Sequence, residues 1–214
     1  MPAFSLQPLS RWRLSALLVG CALSAPTLWS ATPGTAAPPA SPVAPAPCPA
    51  LLQQDFLRLQ DETPQSLCQY SGKVVVVVNT ASFCGFTPQY QGLEALYAQY
   101  KERGLVVLGF PSNDFAQETG SNKEIADFCE STFGVKFPMF TKTSVRGKDA
   151  NPLFRQLAAK TGTAPRWNFY KYVIARDGVG VVSFNSMVGP TSRQFVSEIE
   201  KQLAAPSERK PGLP

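Results

Sequence analysis

The 214-residue chain contains no histidine. That absence excludes a Ser-His-Asp triad, a Cys-His dyad, a histidine-ligated zinc and a proximal haem histidine. Nor do its five cysteines, Cys21, Cys48, Cys68, Cys84 and Cys129, form a Cys-x-x-Cys or Cys-x-x-x-Cys pair. The missing first spacing speaks against a dithiol oxidoreductase, and the missing second, with no histidine, against a copper-handling module. The formal charge is only +5, with no basic run that suggests nucleic acid. No apolar run approaches the roughly 20 residues that span a bilayer. There are no internal repeats.

Charge is almost missing from the first 50 residues, where Arg11 and Arg13 stand alone among 10 of the chain's 20 prolines. Leu14 to Ala25 is an apolar run of the length of a signal-peptide core. Residues 1–25 therefore read as a signal segment, and the chain is expected to be exported and periplasmic. Leu18-Val19-Gly20-Cys21 also has the form of a lipobox, in which Cys21 would be lipidated and anchor the chain to a membrane. The alternative is a signal segment in which Cys21 is incidental. Residues 26–48 are rich in proline and alanine and uncharged, too poor in burial to fold, and read as an extended linker. The folded domain is expected over 49–205, with a flexible tail at 206–214.

Within that domain, Lys73 to Ala81 is a β-branched run, the pattern of a strand buried on both faces. Leu93, Leu96, Tyr97 and Tyr100 follow at helical spacing, Gly104 ends the helix, and Leu105 to Phe110 is a second buried strand. Two such strands joined by a helix should lie parallel. Ser121 and Glu124 form a capping box before a helix carrying Ile125, Phe128, Cys129 and Thr132. Asn151-Pro152 opens a third helix. Phe169 to Ala175 and Val179 to Phe184 flank Asp177-Gly178, a favoured hairpin pair. A last helix with Phe195, Ile199 and Leu203 is expected to be capped by Thr191 and Gln194. Phe56–Leu59 and Leu67–Tyr70 read as a small N-terminal hairpin. The order predicts an α/β, thioredoxin-like fold: a central mixed β-sheet flanked by helices, with one inserted helix.

Cys84 falls between the end of the first buried strand and the next helix. There it meets the positive end of the helix dipole and free N–H groups, which favour thiolate. The plainer alternative is a small core residue, against which its position and the adjacent Gly85 argue. Three residues on stands Thr87, not a second cysteine. A lone thiolate suits attack on a peroxide O–O bond, leaving a sulfenic acid for a distant thiol to resolve.

Three ordered segments now make a resemblance: Val78-Asn79-Thr80-Ala81-Ser82-Phe83-Cys84-Gly85-Phe86-Thr87, Gly109-Phe110-Pro111-Ser112-Asn113-Asp114-Phe115-Ala116-Gln117-Glu118, and Trp167-Asn168-Phe169. Over residues 51–205 the chain resembles the glutathione peroxidase family in its bacterial, cysteine-containing form. The resemblance implies a tetrad of Cys84, Gln117, Trp167 and Asn168. Amide and indole donors can hold a thiolate and stabilise the charge on a departing oxygen without histidine. Ser112 and Asp114 replace the usual cysteine and glutamine, the loop before Gln117 is one residue short, and Thr119 stands where proline is common. Asp114, a carboxylate that would oppose ionisation of the thiol, is expected to point away.

Cys129 matches the resolving cysteine of thioredoxin-dependent members, whereas its spacing alone favours a core residue on the Ile125/Phe128 face. In an exported chain Cys48 and Cys68 are expected to form a structural disulfide, the alternatives being free thiols or an electron relay. Between Pro152 and Trp167 the chain lacks the longer insertion of tetrameric animal members of that family, so the resemblance implies a monomer with an open site that admits lipid and organic hydroperoxides as well as hydrogen peroxide. The implied reductant is a thioredoxin-like protein, or glutathione, and no cofactor is called for. A thiol–disulfide oxidoreductase and a peroxide sensor remain as other readings of the same cysteine.

Overall fold

The computed structural model describes residues 48–205. The signal segment with Cys21, linker residues 26–47 and the tail 206–214 lie outside the described residues. In chain order the elements are a hairpin of β1 (Asp55–Leu57) and β2 (Pro64–Ser66), then β3 (Val74–Thr80), α1 (Gln89–Tyr100), β4 (Leu105–Pro111) and α2 (Asn122–Phe133). They continue with α3 (Pro152–Thr161), β5 (Lys171–Ile174), β6 (Val181–Phe184) and α4 (Arg193–Ala204).

All seven residues of β3 are buried, and their alternation builds two cores. Val74, Val76 and Val78 face α1, α2 and α4, meeting Leu93, Ile125, Phe195 and Ile199. Val75 and Val77 face α3 and the N-terminal segment, meeting Leu153, Phe154, Leu157 and Leu67. The main sheet runs β4-β3-β5-β6. β3 and β4 are parallel, as a helical crossover requires, whereas β5 is antiparallel to both its neighbours. This is the mixed, helix-flanked sheet expected of a thioredoxin-like fold.

Along the outer edge of β4, Gly109 N–H donates to Pro138 O and Phe140 N–H to Gly109 O, both at 2.9 Å. The same segment receives the hairpin through Leu59 N–H to Met139 O and Thr141 N–H to Leu57 O. The exposed edge is thereby covered. Gly109 permits this approach, since a Cβ there would collide with the Met139 sulfur.

Two local expectations are corrected. The second hairpin strand is Pro64–Ser66, and Leu67–Tyr70 is a 3-10 helix. Its buried residues, Leu67 and Tyr70, are three apart, the period of that helix rather than of a strand. The cap of α4 is Ser192, which accepts from Phe195 N–H, one residue beyond Thr191. The Ser121–Glu124 capping box and the Asn151-Pro152 start are present as read.

Cys48 and Cys68 are joined by a disulfide at a sequence separation of 20, tying the start of the described chain to the 3-10 helix. Closing a loop of that size stabilises by about 3 kcal/mol on chain entropy. The paired Cys48→Ser, Cys68→Ser variant is expected to lose about that much in urea unfolding. A loss below about 0.5 kcal/mol would mean the bridge does not constrain the unfolded chain.

Candidate active site

Cys84 is 7% exposed, in the turn between β3 and α1. Its Sγ accepts from Phe86 N–H at 3.4 Å. Thr87, at the position a second redox cysteine would occupy, clasps the turn instead. Its hydroxyl accepts from Cys84 N–H (3.1 Å) and donates to Ala81 O (2.9 Å), while its own N–H donates to Cys84 O (3.0 Å). The cysteine's backbone is thus held on both sides by one threonine.

Gln117 reaches this turn from the loop after β4. Its carbonyl accepts from Phe83 N–H at 3.1 Å, and its side-chain Oε1 accepts from Asn168 Nδ2 at 2.8 Å. Asn168 is fully buried, and its Oδ1 has no hydrogen-bond partner. A buried acceptor left open is costly unless a further group uses it. Trp167 is 42% exposed and packs on Phe115 at 5.4 Å between ring centroids. Among the described residues three non-glycines have positive φ, and of these Ala116 (56°) precedes Gln117 and Phe169 (60°) follows Asn168. Both side chains are therefore aimed by backbone in a sparsely populated region, the kind of local strain that collects at functional sites.

The resulting arrangement brings Gln117 and Asn168 into direct contact and binds the Gln117 loop to the residue beside Cys84. Cys129 is placed separately: it is free, 2% exposed and still within the intact α2. Burial pushes its thiol up to about 11. Asp114 does point away, its Oδ2 accepting from Val145 N–H (2.7 Å) and Arg146 N–H (3.1 Å).

Sequence reasoning assigned no role to Asn79, the one amide in the β3 run. It is wholly buried and holds the Trp167–Tyr170 segment. Its Nδ2 donates to Trp167 O (3.1 Å), its Oδ1 accepts from Tyr170 N–H (3.0 Å), and its carbonyl accepts from Phe169 N–H (2.6 Å). A lone amide inside a valine run was the available signal, since a buried amide must be paired.

Lys171 was likewise missed. It is fully buried, and Nζ donates to Phe169 O (2.6 Å) and Gln89 Oε1 (2.8 Å), linking the segment after Asn168 to the first residue of α1. Burial lowers its pKa to about 7, against about 10.4 in an unfolded chain. Between those values the unfolded state binds more protons, so the cost of burying the ammonium is full below pH 7 and fades as pH rises. Relative to Lys171→Met, the wild type is expected to gain about 2 kcal/mol of stability between pH 7 and 9. A pH-independent difference in denaturation midpoints would show that Lys171 keeps its charge throughout.

A thioredoxin-type sheet with one cysteine at the strand–helix turn, and threonine where a second redox cysteine would stand, fits a thiol-dependent peroxidase. The chain belongs to the glutathione peroxidase family, whose family model, described as glutathione peroxidase, matches residues 54–158. It is 50% identical over 139 residues to a glutathione peroxidase-like peroxiredoxin of Chlamydomonas reinhardtii, covering 63% of this chain and 85% of the relative. Over 154 residues it is 46% identical to a hydroperoxy fatty acid reductase of Synechocystis, covering 67% and 90%. Among solved structures, a crystal structure described as Trgpx in apo form matches with a TM-score of 0.59 and 33% identity, covering 73% of this chain and 96% of that one.

Proposed function

We propose that Cys84 is the peroxidatic nucleophile, that Gln117, Trp167 and Asn168 form its polar cradle, and that Cys129 resolves the oxidised form. The observation that carries this reading is the Gln117–Asn168 hydrogen bond, on a loop tied to Phe83 beside the cysteine. The Cys84 thiolate attacks the distal peroxide oxygen. The O–O bond breaks, water or an alcohol leaves after protonation, and sulfur is oxidised to sulfenic acid. Cys129 then displaces the hydroxyl to give a disulfide, which requires α2 to open locally because Cα atoms must approach within about 7 Å. A thioredoxin-like protein, or glutathione, returns both thiols.

The substrates extend from hydrogen peroxide to organic and lipid hydroperoxides. A cleft of about 230 Å³ supports this, lined by Phe86, Trp167, Tyr170 and Met187 among others. Phe83 and Met187 are 69% and 78% exposed nearby in sequence to Cys84 and β6. The apolar run and lipobox in residues 1–25 support export to the periplasm, with membrane anchoring through Cys21; the short link from α3 to Trp167 supports a monomer. Non-reducing peptide mapping before and after one equivalent of hydrogen peroxide tests the cycle. A new Cys84–Cys129 link, with Cys48–Cys68 bonded throughout, is the expected result. A Cys84 that stops at sulfenic or sulfinic acid would remove Cys129 from the cycle, and an unreactive Cys84 would overturn the site.

A further inference from the structure

Lys171, the first residue of β5, is completely buried, a place lysine occupies only when its amine is paired. Its Nζ donates in two directions. One bond runs to Phe169 O at 2.6 Å, on the residue after Asn168. The other runs to Gln89 Oε1 at 2.8 Å, at the start of α1. Gln89 in turn donates its N–H to Phe86 O at 2.8 Å, and Phe86 N–H donates to Cys84 Sγ at 3.4 Å. Gln89 Nε2 donates to Ser186 O at 2.7 Å, in the loop after β6. A single amine therefore stands between the turn that carries Cys84 and the segment that carries Trp167 and Asn168. The Asn79 side chain holds the same segment, but both its bonds end there, at Trp167 O and Tyr170 N–H. Among the described residues the hydrogen-bonded link from that segment to α1 thus runs through Lys171, beside a packing contact of the Tyr90 and Phe169 rings at 5.2 Å.

We propose that Lys171 is a positioning residue for peroxide reduction, setting the Cys84 turn against the Asn168 segment so that the amide cradle meets the oxygen that leaves the peroxide. This rests on the reading of Cys84 as the nucleophile and of Gln117, Trp167 and Asn168 as its cradle. Such donors are effective only if they already lie where charge develops on that oxygen. A misplacement of about 1 Å can cost roughly a hundredfold in rate. Asn168 is aimed by a neighbour, Phe169, whose φ of 60° persists only where its surroundings impose it. Those surroundings are Asn79 O on the Phe169 N–H and Lys171 Nζ on its carbonyl. An amine keeps two N–H groups with or without its third proton, so both arms of the brace hold in either protonation state. Sealed from solvent, Lys171 does not meet the substrate; it acts through Phe169 and Gln89.

The test is Lys171→Met in the full chain, with oxidation of Cys84 by hydrogen peroxide and its alkylation by iodoacetamide each timed by rapid quench and peptide mass spectrometry. Both reactions consume the thiolate, but only the first releases an oxygen for the cradle to receive. Methionine keeps an unbranched stem in the core, so a purely structural role predicts the same ratio of the two rates in both proteins. The positioning role predicts oxidation slower by about tenfold to a hundredfold, with alkylation nearly unchanged. A urea unfolding curve is the control for folding. Gln89→Leu cuts one arm at a half-buried position and leaves the Lys171 bond to Phe169 O in place. It is expected to show the same selective loss to a smaller degree, and should Lys171→Met fail to fold, this variant decides. Combined, the two substitutions are expected to slow oxidation no more than Lys171→Met alone, since both cut one link. Equal oxidation rates in wild type and variant would overturn the proposal, as would equal slowing of oxidation and alkylation, or a double variant slowed by the product of the single effects. If wild-type Cys84 does not react with peroxide, the reading of the site fails first and this proposal falls with it.

Discussion

Cys84→Ser is expected to consume no peroxide above the rate without enzyme, while unfolding at nearly the wild-type denaturant midpoint. Serine is close in size to cysteine, and the site accepts it: Cys84 is buried, and its Sγ has one donor, Phe86 N–H, which a hydroxyl oxygen also satisfies. The turn is held by Thr87 through backbone atoms of Cys84 that the substitution does not touch. Chemically, however, the exchange is complete. A serine hydroxyl is un-ionised at neutral pH without an adjacent base, and the chain has no histidine to supply one. Oxygen also has no counterpart to the sulfenic acid on which turnover depends. The check is peroxide consumption under excess reductant, beside an unfolding curve. Retained turnover in a folded variant would move the reaction away from Cys84.

Cys129→Ser should separate the two halves of the cycle. Its first oxidation proceeds, since Cys84 and the Gln117–Asn168 pair are untouched, and one equivalent of peroxide is consumed. Turnover with a thioredoxin-like reductant then stops, and with excess peroxide Cys84 advances to sulfinic acid, detectable by mass. The null case is equally definite. Cys129 is packed in the core beside Ile125 and Tyr90, so a residue that only fills space would cost some stability and leave turnover unchanged. Undiminished steady-state turnover would therefore return Cys129 to the core and require an external thiol to resolve Cys84.

Much of this architecture was legible because local pattern and tertiary role coincide. The β-branched run of β3 admits only a strand covered on both faces, and both faces are covered, by α1, α2 and α4 on one side and α3 on the other. Cys84 was legible for the same reason: a cysteine at the end of such a strand, before a helix, has few other places to be. Reading failed where two periods compete over a few residues. Leu67 and Tyr70 fit either a short strand or a 3-10 turn, and only the packing of both against the β3 core decides for the turn. At α4 two adjacent hydroxyls could cap, and the direction in which the chain enters the helix selects Ser192.

The polar interior is where the sequence was least informative. Asn79, Glu118 and Lys171 are each wholly buried, yet apart from the valine run before Asn79 nothing local tells these buried polar groups from solvated ones. Their partners are remote: Asn79 meets Trp167 across 88 residues, Lys171 meets Gln89 across 82, and Asn168 meets Gln117 across 51. By itself, then, the sequence determined the strand–helix order, the family and the place of the cysteine proposed as nucleophile, because hydrophobic period and motif are properties of neighbouring residues. Only the tertiary structure decided which polar groups share the space beside Cys84, because each buried donor had to find its acceptor on a distant strand or loop once water was excluded.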